Sequence, residues 1–317
     1  MSDILLSNQV SISLFIDFLL FLLLCVALFH TLFILKGWKR GATTSCQYGL
    51  EKRSYLVLTI ISFVLVCKII LLIFFTYTLN ELSNIVPGAM CAAGVVSSNS
   101  YGNPTLVLKL IIIMLILLWL ALNKQDQKAK NHPFFKQKLY FFIVIFVLIA
   151  VELFLEVLFF TNISTLTPVL CCSSIYKTIQ NKSPIPFSLS IKELITLFYL
   201  TYVFILVFAY AKKRVLLFVL SVFYTYISYY SIVYFFALYI YELPTHKCPF
   251  CMLQSDYYYI GYLIFGSLFV ATYYCIKTSL FSFSGTNRYK ITISYTVFIL
   301  SSSLPFWLYF LKNGVLL

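Results

Sequence analysis

Eight long apolar runs constrain the fold of this chain more than any other sequence feature. Each run is about as long as a helix that crosses the hydrocarbon core of a bilayer, and none alternates in the way that barrel strands do. In lipid, a helix satisfies all of its backbone hydrogen bonds within one segment. The runs therefore predict eight transmembrane helices, at about residues 12–36, 54–79, 105–122, 139–161, 194–211, 215–241, 257–276 and 291–311.

The composition excludes a soluble globular protein. Hydrophobic residues make up 62% of the 317 residues and charged residues only 10%, which leaves too few polar side chains to cover a water-exposed surface. No repeat of fixed period is visible, and no polar segment is long enough to form a separate soluble domain. We therefore predict an all-α polytopic membrane protein in which residues 1–317 form a single transmembrane domain.

The basic residues indicate how the chain is oriented in the bilayer. Lys and Arg are concentrated in segments 37–53 and 123–138 and in the turn at 212–214, whereas segment 80–104 contains none. The positive-inside rule places the basic segments in the cytoplasm and both termini outside. The net charge of +13 is therefore an orientation signal facing the lipid bilayer, and we expect no nucleic-acid partner. A bacterial inner membrane is the location that we expect.

Five of the nine cysteines fall in three loops on the predicted outer side, each beside a span. Cys91 is in the first of these loops, Cys171 and Cys172 are in the second, and Cys248 and Cys251 are in the third. Purely structural disulfides would leave one of the five unpaired, and the adjacent Cys171 and Cys172 can bridge each other only through a strained ring. The loops are therefore the candidate location of the protein's chemistry.

The most chemically specific motif is Cys248-Pro249-Phe250-Cys251, with His246 two residues upstream. Pro249 suits the first turn of a helix, and the positive end of a helix starting directly after the motif would favour a thiolate at Cys248. We expect Cys248 to be the more exposed thiol and to attack or be attacked, and Cys251 to resolve the mixed disulfide.

This tetrapeptide, at the outer end of a predicted span, resembles the vitamin K epoxide reductase and DsbB type of membrane thiol oxidoreductase. The resemblance covers the tetrapeptide and the span after it, whereas that family forms a four-helix bundle and this chain has eight spans. It implies thiol–disulfide exchange on the non-cytoplasmic side, a bound quinone as electron acceptor and a periplasmic thiol protein as partner. The relay cysteines that it implies would be Cys91, Cys171 and Cys172.

Two other functions stay open. The same five cysteines, with Met90, Met252 and His246, form a soft ligand set suited to Cu(I), or to Zn(II) if His246 takes part. Such a set would bind, deliver or transport one of these metals or a haem-related cargo. A metallochaperone would then be the partner. Alternatively, the cysteines form structural disulfides in a membrane assembly subunit. The exchange and metal hypotheses predict that Cys91, Cys171 or Cys172, and Cys248 or Cys251 converge in one outer pocket, with His246 at its rim and Glu156 beneath.

Five charged residues lie inside the spans, where they are costly unless they face the bundle interior. They are Asp17, Lys68, Lys109, Glu152 and Glu156. Glu152 and Glu156 are four residues apart and share one helix face. Their depths along the spans predict two ion pairs, Glu156 with Lys109 and Glu152 with Lys68. A path for protons is the functional alternative.

The predicted topology can be measured with reporter fusions at both termini and with an impermeant thiol reagent. We expect both termini and Cys91 to be on the non-cytoplasmic side, because segment 80–104 lacks Lys and Arg. Labelling of Cys91 from the cytoplasmic side alone would contradict the functional argument.

Overall fold

The structure is a computed structural model that describes residues 3–38, 44–129, 132–165, 167–169, 185, 189–243, 246–281 and 285–315. These residues form helices and connecting turns, with no strand among them. Eight of the described helices are long and apolar enough to cross a membrane. The predicted class, an all-α polytopic membrane protein, is confirmed. The chain divides into two compact units, Met1–Leu170 and Cys171–Leu317, and the single transmembrane domain stays a prediction.

The first unit is built from four long helices and one short one. They are α1 (Asn8–Gly37), α2 (Ser45–Leu82), the short α3 (Ala92–Val96), α4 (Gly102–Lys128) and α5 (Phe135–Thr161). Helix α1 packs against α2 and α5, and α4 packs against α5 and α2. The four long helices therefore share one interior, which is where the charged residues of these spans are found.

The loop that leads to Cys91 is fastened to the segment after α5. Val169 donates its backbone N–H to the carbonyl oxygen of Pro87 at 2.8 Å. Gly88 between them has φ of 78°, and a Cβ at this position would lie 2.6 Å from the carbonyl oxygen of Val169. Only glycine fits such a left-handed, close approach. The loop between α2 and α3 is thus held in a defined position within the first unit.

The second unit contains the remaining helices. They are α6 (Ile191–Tyr210), α7 (Arg214–Ser231), α8 (Ala237–Tyr241), α9 (Ile260–Leu280) and α10 (Gly285–Asn313). A π-helical turn, Ile232–Phe236, joins α7 to α8, so that the three segments form one continuous span. Helix α7 packs against α6 and α9, and α10 packs against α9 and α6. A capping box of Ser190 and Glu193 begins α6.

The helix after the cysteine motif begins later than the sequence predicts. Cys251–Leu253 and Ser255–Tyr257 are single 3-10 turns, and α9 begins only at Ile260. Tyr258 and Tyr259 have φ of 52° and 54°, a left-handed conformation that cannot continue a right-handed helix. The expectation of a helix that starts directly after the motif is therefore wrong.

Candidate functional site

Cys248 and Cys251 lie together in the connection between α8 and α9. Their Sγ atoms are within 4.8 Å of each other, and the two residues are 3% and 9% exposed. The expectation that Cys248 is the more exposed thiol is wrong, because the backbone at this residue is drawn against the end of α8. The spacing of the motif nevertheless brings both sulfurs to one place within the second unit.

Tyr241, at the end of α8, holds the motif in position. Its hydroxyl donates a hydrogen bond to the carbonyl oxygen of Cys248. Its ring contacts the rings of His246 and Tyr257 edge-on, with centroid separations of 4.2 and 4.6 Å. The only sign of this role in the sequence is a tyrosine-rich stretch, which interfacial belts also explain.

Helix α9 supports the motif from the other side. A Cβ at Gly261 would lie 2.9 Å from the backbone carbonyl carbon and from the Cβ of Met252, so that only glycine lets the helix approach this closely. Met252 is fully buried there. The motif is therefore packed between the end of α8 and the first turn of α9.

Tyr257 contributes a phenol beside the thiols. Burial raises the pKa of Tyr257, and the nearby Cys251 raises it further, as does Asp256. A tyrosine whose pKa is raised above its ordinary value keeps its proton at neutral pH. The phenol of Tyr257 is therefore a neutral hydrogen-bond donor near Cys251.

The other predicted site residues are placed as follows. Cys91 is the N-cap residue of α3 in the first unit and is 3% exposed. Cys171 and Cys172 lie outside the described residues, so that their convergence with the other thiols stays a prediction. His246 is half-buried against Tyr241, and its Nε2 atom is buried without a hydrogen-bond partner among the described residues.

A second candidate site is the charge cluster, by which we mean Asp17, Lys68, Lys109, Glu152 and Glu156. Glu152 lies between the two lysines: it accepts a hydrogen bond from Lys68 Nζ at 2.8 Å and another from Lys109 Nζ. Lys109 Nζ also donates to Glu156 at 2.8 Å. All five residues are at most 6% exposed, and they come from α1, α2, α4 and α5.

Asp17 on α1 completes this cluster. Lys68 Nζ donates to its Oδ1 atom at 2.5 Å, while its Oδ2 atom lies 3.6 Å from Lys109 Nζ. Both ion pairs that the sequence predicts are thus present, but they are not separate. The depths of the lysines and glutamates along their spans were enough to predict the two pairs. The position of Asp17 could not be predicted from depth, because it depends on how α1 packs against α2 and α5.

A smaller buried ion pair lies at the other end of α4. Lys138 Nζ is 2.7 Å from Asp126 Oδ2, and both residues are at most 1% exposed. The backbone N–H of Phe134 donates to Asp126 Oδ1 at 2.9 Å, which fixes the turn between α4 and α5. From the sequence, Lys138 is one of the basic residues of segment 123–138, and its pairing with Asp126 was not predicted.

Comparisons of the chain with protein-family models, curated proteins and solved structures find no match. The resemblance of the cysteine motif to membrane thiol oxidoreductases therefore rests on the motif and its position alone.

The charge cluster predicts that two substitutions within it lower the free energy of unfolding by different amounts. Lys109→Met leaves three buried carboxylates facing one ammonium group, and we expect it to lower the free energy of unfolding by about 3–5 kcal/mol. Glu156→Gln removes one of three carboxylates that face two ammonium groups. We expect it to lower the free energy of unfolding by less than Lys109→Met does. Denaturant titration in mild detergent measures both.

The matched control is Lys124→Met, on the same helix but exposed, which should change stability little. If Lys109→Met is no less stable than Lys124→Met, the cluster does not stabilise the first unit.

Proposed function

We propose that this protein carries out thiol–disulfide exchange at Cys248 and Cys251 on the non-cytoplasmic side of the membrane. The observation that supports the proposal best is the placement of two sulfurs within 4.8 Å in a motif whose spacing suits reversible disulfide formation. The sulfurs need to approach to about 2.05 Å for the bond to form. A small change in the backbone between the two cysteines is enough for this.

The exchange reaction needs no reactant other than the cysteine pair and the substrate disulfide. A thiolate of the pair attacks one sulfur of a substrate disulfide, forming a mixed disulfide and releasing the other substrate sulfur as a thiolate. The second cysteine then attacks the protein sulfur of the mixed disulfide and releases the remaining substrate thiolate. The substrate disulfide is reduced to two thiols, which take the protons of the two cysteines, and the pair is oxidised to a disulfide. The reverse steps oxidise a substrate dithiol.

The local structure favours a disulfide that forms and breaks reversibly over a permanent structural disulfide. A disulfide across two intervening residues closes a very short loop and removes little chain entropy, so that it stabilises the fold weakly. The motif also lies outside the long helices: Cys248 to Phe250 are in no helix, and Cys251 begins a single 3-10 turn, a kind of segment that opens locally more easily than a long helix. Such opening exposes the buried thiols to a substrate.

The class of partner follows from the predicted side of the membrane. A protein with an extracytoplasmic disulfide or dithiol is the substrate that we expect, and the lipid bilayer is the surrounding medium. The bound quinone that the motif resemblance implies stays a prediction, as does a relay through Cys91, Cys171 or Cys172.

Reaction with oxidised glutathione tests the proposal. In the wild type, the second thiol should displace glutathione, leaving a Cys248–Cys251 disulfide and two reduced glutathione molecules. In Cys248→Ser and Cys251→Ser, the second step is blocked, and at least one variant should retain a glutathione adduct on its remaining cysteine. Mass spectrometry of the purified full-length protein detects each species.

The matched control is Cys46→Ser, which removes an exposed cysteine in the first turn of α2 and should leave the reaction of the pair unchanged. Three results would contradict exchange. One is that neither variant forms an adduct. Another is a pair that stays oxidised under all conditions, which would favour structural disulfides. The third is stoichiometric copper or zinc that protects both thiols from alkylation.

A further inference from the structure

The formal charges of the charge cluster in the first unit do not sum to zero. Three carboxylates, those of Asp17, Glu152 and Glu156, face two ammonium groups, those of Lys68 and Lys109. Fully ionised, the five residues carry a net charge of −1, and all five are at most 6% exposed. An uncompensated buried charge is strongly unfavourable, so that the cluster favours uptake of one more positive charge.

The hydrogen bonds indicate where that charge is needed. Both carboxylate oxygens of Glu152 accept from lysines, and one oxygen of Glu156 does the same. Among the described residues, the other oxygen of Glu156 accepts only a long 3.4 Å hydrogen bond, from the hydroxyl of Ser13. Asp17 is 1% exposed, and no hydrogen-bond donor among the described residues reaches its Oδ2 atom.

Asp17 and Glu156 are also close to each other. One oxygen from each of the three carboxylates lies within 4.8 Å of the others. A proton on Asp17 or Glu156 supplies the missing donor and removes the excess negative charge in one step. A small cavity of about 10 Å³ adjoins the cluster, lined on its polar side by Lys68, Lys109 and Glu152. It has room for about one water molecule.

We propose that the charge cluster is a proton-binding site, in which Asp17 and Glu156 share one proton taken from water at neutral pH. The proton comes from the solvent, and its uptake changes the net charge of the five residues from −1 to zero. Ionisable groups inside membrane spans often form proton relays, and the bridging position of Glu152 leaves it ionised between the two lysines. The site is independent of the proposed chemistry of Cys248 and Cys251.

Infrared spectroscopy of the full-length protein tests this directly. The C=O stretch of a protonated carboxyl group is separate from the bands of ionised carboxylates, and a detergent without ester groups keeps the region clear. We expect the wild type to show one protonated carboxyl at neutral pH, which shifts in heavy water and disappears as the pH is raised. Asp17→Asn and Glu156→Gln should each abolish the band, because either change leaves two carboxylates facing two ammonium groups.

Asp126→Asn is the matched control, since Asp126 is equally buried but is a single carboxylate that faces Lys138 and a ring nitrogen of His132, and the band should persist in this variant. Absence of the band in the wild type would overturn the proposal, as would a band that remains undiminished in both cluster variants. The pH titration of the wild type decides the question even if one variant does not fold.

Discussion

The absence of water from the hydrocarbon core is the constraint on which the rest of this structure depends. Every backbone group inside the bilayer has to find its partner within the protein, and helices achieve this within one segment. The same constraint acts on charged side chains, which are stable there only when they face one another. It explains both the long helices and the gathering of Lys68, Lys109 and their acidic partners in the interior of the first unit.

The thiol pair lies in the connection between two spans, where the backbone does not have to form a continuous helix. Between α8 and α9 the backbone leaves the helical conformation for short turns, and Tyr258 and Tyr259 take up left-handed angles that a spanning helix would not tolerate. Two contacts hold this non-helical segment in place. They are the hydrogen bond from Tyr241 to the carbonyl oxygen of Cys248 and the close packing of Gly261 against Met252. A segment of this kind is held in place and yet opens more easily than a helix, as reversible exchange at a buried pair requires.

The sequence predicted the parts of the structure that depend on composition and period. The eight spans follow from apolar length, and the proximity of Cys248 to Cys251 follows from their spacing. The start of α9 could not be predicted, because the local run of tyrosines is compatible with a helix and only the left-handed residues interrupt it. The pairing of Asp17 could not be predicted either, since it depends on tertiary packing of α1 and not on depth in the bilayer.

The central claim is that Cys248 and Cys251 cycle between a dithiol and a disulfide. The most direct measurement equilibrates the full-length protein in glutathione buffers of stepped redox potential, alkylates the free thiols and quantifies the peptide carrying both cysteines by mass spectrometry. We predict a reversible two-electron transition with a midpoint between about −120 and −270 mV, the range of exchange enzymes. A pair that stays oxidised below about −300 mV, as structural disulfides do, or that stays reduced throughout would contradict the claim.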